Sequence, residues 1–294
     1  MIKIDAHNHP DFLGMGIQKF IANMDENGID KTVLLTDEKP WEEIYMNELG
    51  VNPSPLAASE EHCIPFNRCL DFYEKAPERF ILGYCPDPRR PQAVHKMKSA
   101  IHTYGVKVCG EVKFRTMYDN PDCIDLFRYC GEQGVPAILH FDVAEAQIAP
   151  KGSYWRHYWY GGDINTLERL LELCPETNFL GHAPGFWACI SNDDLWKTVD
   201  YPQGPVIPGG HIERLLEKFP NLYCDCSAYS ALAALSRDSE YTKKLIMTFP
   251  DRFVYARDNF EIQLAPFIDS LGLSQDVLEM FYHKNIERLI GEGK

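Results

Sequence analysis

The sequence predicts an α/β protein, a single (β/α)8 TIM barrel over residues 1–294 with long strand-to-helix loops forming the active-site mouth. Three observations predict it. Eight short β-branched runs alternate with longer amphipathic stretches along the whole chain. The helix-to-strand joints Lys75-Ala76-Pro77, Gly134-Val135-Pro136 and Phe219-Pro220-Asn221 carry residues that stop a helix and admit a strand. A chain of 294 residues suits eight such units, and no internal repeat or low-complexity linker divides it, so one domain is expected.

Strands are expected at 2–7, 32–36, 79–85, 106–114, 137–141, 178–182, 222–227 and 252–258. Several are apolar along their length, as strands buried on both faces are. Helices are expected between and after them, at 17–27, 65–75, 91–104, 122–133, 164–174, 211–219, 239–249 and 275–291. Their apolar positions recur at three- and four-residue steps, as with Ile212, Leu215, Leu216 and Phe219. A doubly wound open sheet is the alternative. It often carries a glycine-rich phosphate turn after its first strand, whereas here that turn reads AHNHPDF. Three connections, 37–64, 142–163 and 183–210, are long and all follow strands, where this fold builds its active site.

Composition narrows the function. Lys and Arg number 29 against 43 Asp and Glu, a formal charge of −14, and no basic run exists that could neutralise a row of phosphates. No nucleic-acid or membrane partner is therefore expected, and a small-molecule substrate is. Hydrophobic residues at 45% exclude intrinsic disorder. The ten cysteines include no C-x-x-C pair, and most sit in apolar segments such as VKVCGEV and LYCDCSA. They are expected to be reduced core thiols. The start, MIKIDAHNHPD, has no signal-peptide apolar region, and no run approaches the ~20 apolar residues a membrane helix needs. A cytoplasmic protein is the expectation.

The chemistry gathers at strand ends. His7 and His9 are two apart at the end of the first strand and so point to one side. His140 ends the fifth strand, His182 the sixth and Asp258 the eighth. Histidines merely packed in a core would show no such preference. A mixed nitrogen and oxygen site suits a divalent metal, Zn²⁺ first, with Fe, Mn or Co not excluded by ligand type. Glu111 and Lys113 share one parity on the fourth strand. Glu111 could ligate or bridge a second metal. Lys113 could bind a substrate anion or form a bridging carbamate. Alternatively, the two pair with each other. The loop PKGSYWRHYWYGG places Trp155, Arg156 and His157 as pocket lining or as an oligomer contact. Arg115 and Arg156 are candidates for gripping a substrate carboxylate. Trp187, in the segment after His182, is a further candidate substrate contact. His62, His95, His102 and His283 read as solvated, and His211, at an expected helix start, as either a substrate contact or a residue without a role.

These motifs resemble the amidohydrolase superfamily, in the branch that includes aminocarboxymuconate-semialdehyde decarboxylase. The matching segments are IDAHNHP, GEVKF, VPAILHFD, FLGHAPGFW, FPNLYCDCSAYSA, DRFVYARD and HKNIERLIG, in order across nearly the whole chain. The resemblance implies that His7, His9 and His140 ligate a metal. It implies that Asp258 ligates it too and takes a proton from water, and that His182 activates water or polarises substrate without ligating. It also suggests a homodimer. One departure is Arg257, which stands where the family often has a small residue beside the aspartate. By alternation its side chain should point away from the face of Asp258. Glu111 is the other open point: some binuclear branches ligate through a fourth-strand glutamate, and the decarboxylase branch does not. The leading reading is a metal-dependent hydrolase acting on an amide, lactone or ester of a small, carboxylate-bearing substrate. The alternative is a nonoxidative decarboxylase, a lyase on a similar metal site. A non-catalytic binding barrel ranks lower. So does a glycosidase pairing Glu111 with Asp142 or Asp225, because the histidines have no part in that chemistry.

Overall fold

A computed structural model describes residues 1–40, 43, 62–142, 160–260 and 262–292. Ten strands are present among them: β1 (Ile4–Asn8), β2 (Lys31–Leu34), β3 (Asp37–Pro40), β4 (His62–Ile64), β5 (Phe80–Leu82), β6 (Cys109–Val112), β7 (Ala137–His140), β8 (Phe179–His182), β9 (Leu222–Cys226) and β10 (Phe253–Tyr255). Eight run parallel, in two sheets ordered β1-β2-β5 and β10-β9-β8-β7-β6. Two seams join the sheets into a barrel. At one, Gly83 bridges Val108, Lys107 N donates to Leu82 O at 2.9 Å and Tyr84 N to Val108 O at 2.9 Å. At the other, Asp258 N donates to His7 O at 2.7 Å. The expected eight strands are these eight, each shorter than its sequence run.

Seven of the eight barrel strands send apolar side chains into one inner cluster. Ile4 and Ala6 come from β1, Val33 from β2, Ile81 from β5 and Ile138 from β7; Leu180, Tyr223 and Val254 come from β8, β9 and β10. Leu35, Val108 and Ala256, just beyond their strands, join them, and Ile286, Leu289 and Ile290 pack against the same cluster. The opposite strand faces meet the surrounding helices in a second, larger core. This is why the strands read as continuous apolar runs. Filling the interior with branched side chains leaves polar residues only at the strand ends.

The helices follow the expected stripes with differences that have physical causes. His211–Lys218 buries Ile212, Leu215 and Leu216, the predicted face. The expected C-terminal helix 275–291 is broken into Gln275–Glu279, a π turn over Met280–Lys284, and Asn285–Leu289. The helix Ala228–Leu235, which directly follows β9, was not anticipated. Its sequence AYSALAAL is apolar almost all round, so no stripe marks it. The antiparallel pair β3–β4 was also unforeseen and lies outside the barrel sheets. All ten cysteines are free and buried. No helix among the described residues is long and apolar enough to cross a membrane.

Candidate metal centre

The inward rows of the barrel continue into the site. Two residues beyond Ile138, Leu180, Tyr223 and Ala256 come His140, His182, Asp225 and Asp258. Parallel register sets His140 directly beside His182. The register is irregular between Asp5 and Asn8 on β1, and between Cys109 and Val112 on β6. Each irregularity turns an extra residue inward, His7 in one case and Glu111 in the other.

The side chains converge closely. His7 Nε2 lies 3.3 Å from His9 Nε2, and each of these nitrogens lies 3.3 Å from Asp258 Oδ1. His9 Nε2 is 3.5 Å from Glu111 Oε2, and His7 Nε2 is 3.9 Å from Glu111 Oε1. His182 Nε2 is 3.5 Å from both Glu111 Oε1 and Asp258 Oδ2. His140 meets the cluster through Nδ1, 2.6 Å from Glu111 Oε1. Glu111 forms a compact donor group with His7 and His9 and another with His140 and His182, while His7 and His182 form a third with Asp225.

Outer partners fix the rings. His7 Nδ1 is 2.7 Å from Asp225 Oδ2, His9 Nδ1 is 3.0 Å from Leu35 O, and His182 Nδ1 is 2.8 Å from Ser227 Oγ. With Nδ1 occupied, each of the three rings presents Nε2 to the centre, the arrangement metal-binding histidines adopt. The sequence reading named Asp225 only as a carboxylate of the low-ranked glycosidase, and it did not name Ser227. The signal lay in the period-two alternation Tyr223, Asp225, Ser227 continuing the inward row of β9.

Burial and charge work against each other here. Burial pulls His7 down, but Asp225 and Asp258 outweigh it and hold the imidazole well above its ordinary value. His9 is likewise pulled down by burial and raised, by Asp258 and Glu111, to about 9. His140 reaches about 9 against burial and Lys113, through Asp142 and Glu111. Burial pushes the carboxyls up, yet His140 and Lys113 hold Glu111 well below the carboxylate range, and His7 and His182 do the same for Asp258. A dry cluster of carboxylates and imidazoles thus calls for positive charge at its centre.

A divalent ion fits that demand. His182 Nε2 is buried without a hydrogen-bond partner while facing two carboxylates. A buried nitrogen left so would cost free energy, and a cation among the six donors relieves it. The donor set of imidazoles and carboxylates is one that Zn²⁺ and Mn²⁺ accept.

A cavity of ≈ 410 Å³ opens above the centre, and His140, His182 and Asp258 form part of its wall with Lys113. Two predicted substrate contacts are not brought there. Arg115 is drawn aside by Glu43, its backbone N 3.1 Å from Glu43 Oε2 and its guanidinium 2.9 Å from Glu43 O. Trp187 is buried, its indole N–H donating to Asp225 O at 3.0 Å beneath the site. Trp155, Arg156 and His157 lie outside the described residues. Glu111 and Lys113 are not an isolated pair, since Glu111 is shared among the histidines. Arg257 points away from Asp258, as alternation predicted: its Nε donates to Asp5 Oδ2 at 2.8 Å and its Nη1 to Asn23 Oδ1 at 2.7 Å.

No protein-family profile and no curated protein sequence matches this chain. Solved structures do. An uncharacterised TIM-barrel protein from Bordetella bronchiseptica superposes with a TM-score of 0.64 at 13% identity, over 99% of this chain and 99% of the other. A protein assigned as an amidohydrolase from Staphylococcus aureus gives 0.60 at 14% identity, over 99% and 100%. A dihydroxybenzoic acid decarboxylase from Polaromonas sp., solved with bound manganese, gives 0.58 at 15% identity, over 99% and 97%. At such identities the likeness is one of fold. The chain has, over its full length, the barrel that amidohydrolases and decarboxylases share, as the motif resemblance implied.

Proposed function

We propose that this chain is a metal-dependent hydrolase acting on an amide, lactone or ester of a small molecule. The observation that carries the reading is that Glu111 is shared by two donor groups, one with His7 and His9 and one with His140 and His182. His7, His9 and Asp258 would hold one ion with Glu111. His140 and His182 would hold a second, also through Glu111. This extends the set expected from resemblance, in which His182 is not a ligand. It also favours hydrolysis, because the resembling branches that ligate through a fourth-strand glutamate are the binuclear ones. Donor chemistry favours Zn²⁺, and Mn²⁺ is compatible with it.

When bound, such ions supply Lewis acidity, which polarises a carbonyl and acidifies water. The chain's own groups do the rest. Asp258, the most open member of the cluster at 23% side-chain exposure, faces both the histidines and the cavity. Its carboxylate accepts a proton from water and returns it to the leaving group. His182, held at Nδ1 by Ser227, keeps Nε2 turned to the centre, where it would hold the second ion. Lys113 binds a substrate anion. The buried walls keep bulk water from the reacting atoms.

Decarboxylation on the same site is the second reading, favoured by the fold shared with a decarboxylase. Metal-loaded protein incubated with esters, lactones, amides and ring carboxylic acids separates the two. The hydrolase reading expects a new acid group and no CO₂; CO₂ release from a ring acid without acid formation from any ester, lactone or amide overturns it. Asp258→Asn should lower kcat at least 10²-fold with the fold retained. Near-normal turnover in that variant would remove Asp258 from its role as proton carrier.

A further inference from the structure

The cavity that reaches His182 and Asp258 has a second end. There it is lined by Asp142, Asp200, Tyr201 and Tyr229. Asp142 follows β7, Asp200 and Tyr201 follow β8, and Tyr229 lies in the first turn of the helix after β9, so segments after three adjacent strands build this rim. The Tyr201 and Tyr229 rings stand 5.3 Å apart, inclined at 49°, and are 39% and 52% exposed. Tyrosine pairs left half in solvent at a cavity rim keep their ring faces available to a ligand.

The charge of this rim has one sign. No Lys or Arg among the described residues lies within ion-pair distance of Asp200. Burial and the neighbouring Asp142 both push its carboxyl up, the behaviour of an acid facing another acid. Asp142 Oδ2 lies 3.2 Å from His140 Nε2, an ion-pair contact within the cavity wall. Lys113 is the one Lys or Arg among the described lining residues, and it acts on Glu111 and His140 at the other end of the cavity.

We infer that the substrate carries a cationic group, an alkylammonium or quaternary ammonium, which seats between Asp200, Asp142 and the faces of Tyr201 and Tyr229 while its ester, amide or lactone carbonyl reaches the metal centre. Carboxylates and aromatic faces are the two surfaces that attract a desolvated ammonium. A second carboxylate on the substrate would be repelled there. The inference rests on the hydrolase reading for what happens at the other end of the cavity. Recognition of the cation is separable from it.

The experiment uses metal-loaded protein and two probes of one shape, choline and its uncharged carbon isostere 3,3-dimethylbutan-1-ol, titrated calorimetrically. Choline should bind at least tenfold more tightly. Asp200→Asn and Tyr229→Ala should each remove most of that preference, with little effect on the neutral isostere. Equal binding of the two probes by the wild type overturns the inference, as does an unchanged preference in both variants. The acetate esters of the same alcohols then test the other end. A choline preference in binding with neither ester cleaved keeps the cation site and counts against hydrolysis. Cleavage of both esters at equal kcat/KM keeps hydrolysis and discards the cation site.

Discussion

At the scale of single residues, the contacts of Arg257 explain how this barrel tolerates a bulky residue beside Asp258, the proposed proton carrier. Its guanidinium and Asp5 are 2% and 0% exposed, and Arg257 N also donates to Asp5 Oδ1 at 2.8 Å. Asp5 in turn accepts from His7 N at 3.3 Å and Asn8 Nδ2 at 3.0 Å, and Asn8 Oδ1 accepts from His9 N at 2.9 Å. One buried ion pair therefore orients the backbone of both β1 histidines. Replacing one partner leaves the other charge buried and uncompensated, which costs about 3–5 kcal/mol. Arg257→Met should destabilise by that order in urea unfolding, and adding Asp5→Asn should recover part of the loss. A double variant no more stable than the single one would show that the pair is not what holds Asp5 in place.

At the scale of elements, the site is written at the ends of strands, and three of those ends are strained. Ala183 (φ 76°), Ala228 (φ 58°) and Asp258 (φ 60°) take positive φ just after β8, after Ser227 and at the site itself. An L-residue there costs roughly 1–2 kcal/mol. Ala228→Gly should therefore leave stability unchanged or raise it by up to about 1 kcal/mol, where a glycine in ordinary backbone would lower it. A clear loss on thermal unfolding would mean that the methyl group contributes more by packing than the backbone loses by strain.

Much of this scale was legible. The strand ends carrying His7, His9, His140, His182 and Asp258 follow from apolar runs that stop at polar residues. The inward turn of Glu111 was harder, because an irregular register breaks the period of two on which parity rests. The capture of Arg115 by Glu43 was not legible at all, since it joins residues 72 apart. The loop after β8 is pinned in a similar long-range way: Arg237 Nη2 donates to Asp193 Oδ2 at 2.8 Å and Arg237 Nε to Gly204 O at 2.9 Å. Burial pushes the Asp193 carboxyl up, but Arg237 and Ser191 outweigh it and hold it below its ordinary value. A carboxyl lowered in the folded state contributes stability that is present above the unfolded value, ~3.9, and is lost as pH falls through the folded one. Asp193→Asn should be less stable than wild type between pH 6 and 8, by about 1.5–3 kcal/mol. The gap should narrow below about pH 4. A gap that stays constant from neutral to acid pH would place the effect outside this ion pair.

At the scale of the whole molecule, the candidate centre is also where the barrel is sewn shut. His7 and His9 come from the sheet β1-β2-β5. Glu111, His140, His182 and Asp258 come from the sheet β10-β9-β8-β7-β6 or its strand ends. The β10–β1 seam rests on the bond from Asp258 N to His7 O and on the contact of Arg257 with Asp5, and both bonded residues belong to the donor cluster. A cation held by donors from both sheets thus joins them as a chain of ladder hydrogen bonds would. Binding to the folded state alone stabilises it by about 2.7 kcal/mol when free metal is 100 times Kd. Chelation should lower Tm by several degrees, and the loss should be uneven. Amide exchange should speed first at the β1–β10 seam, while β7 and β8, paired across four successive residues, stay protected. Exchange that rises equally on all eight strands would show that the ion acts on the fold as a whole, and no change at all would mean that the six side chains hold together without it.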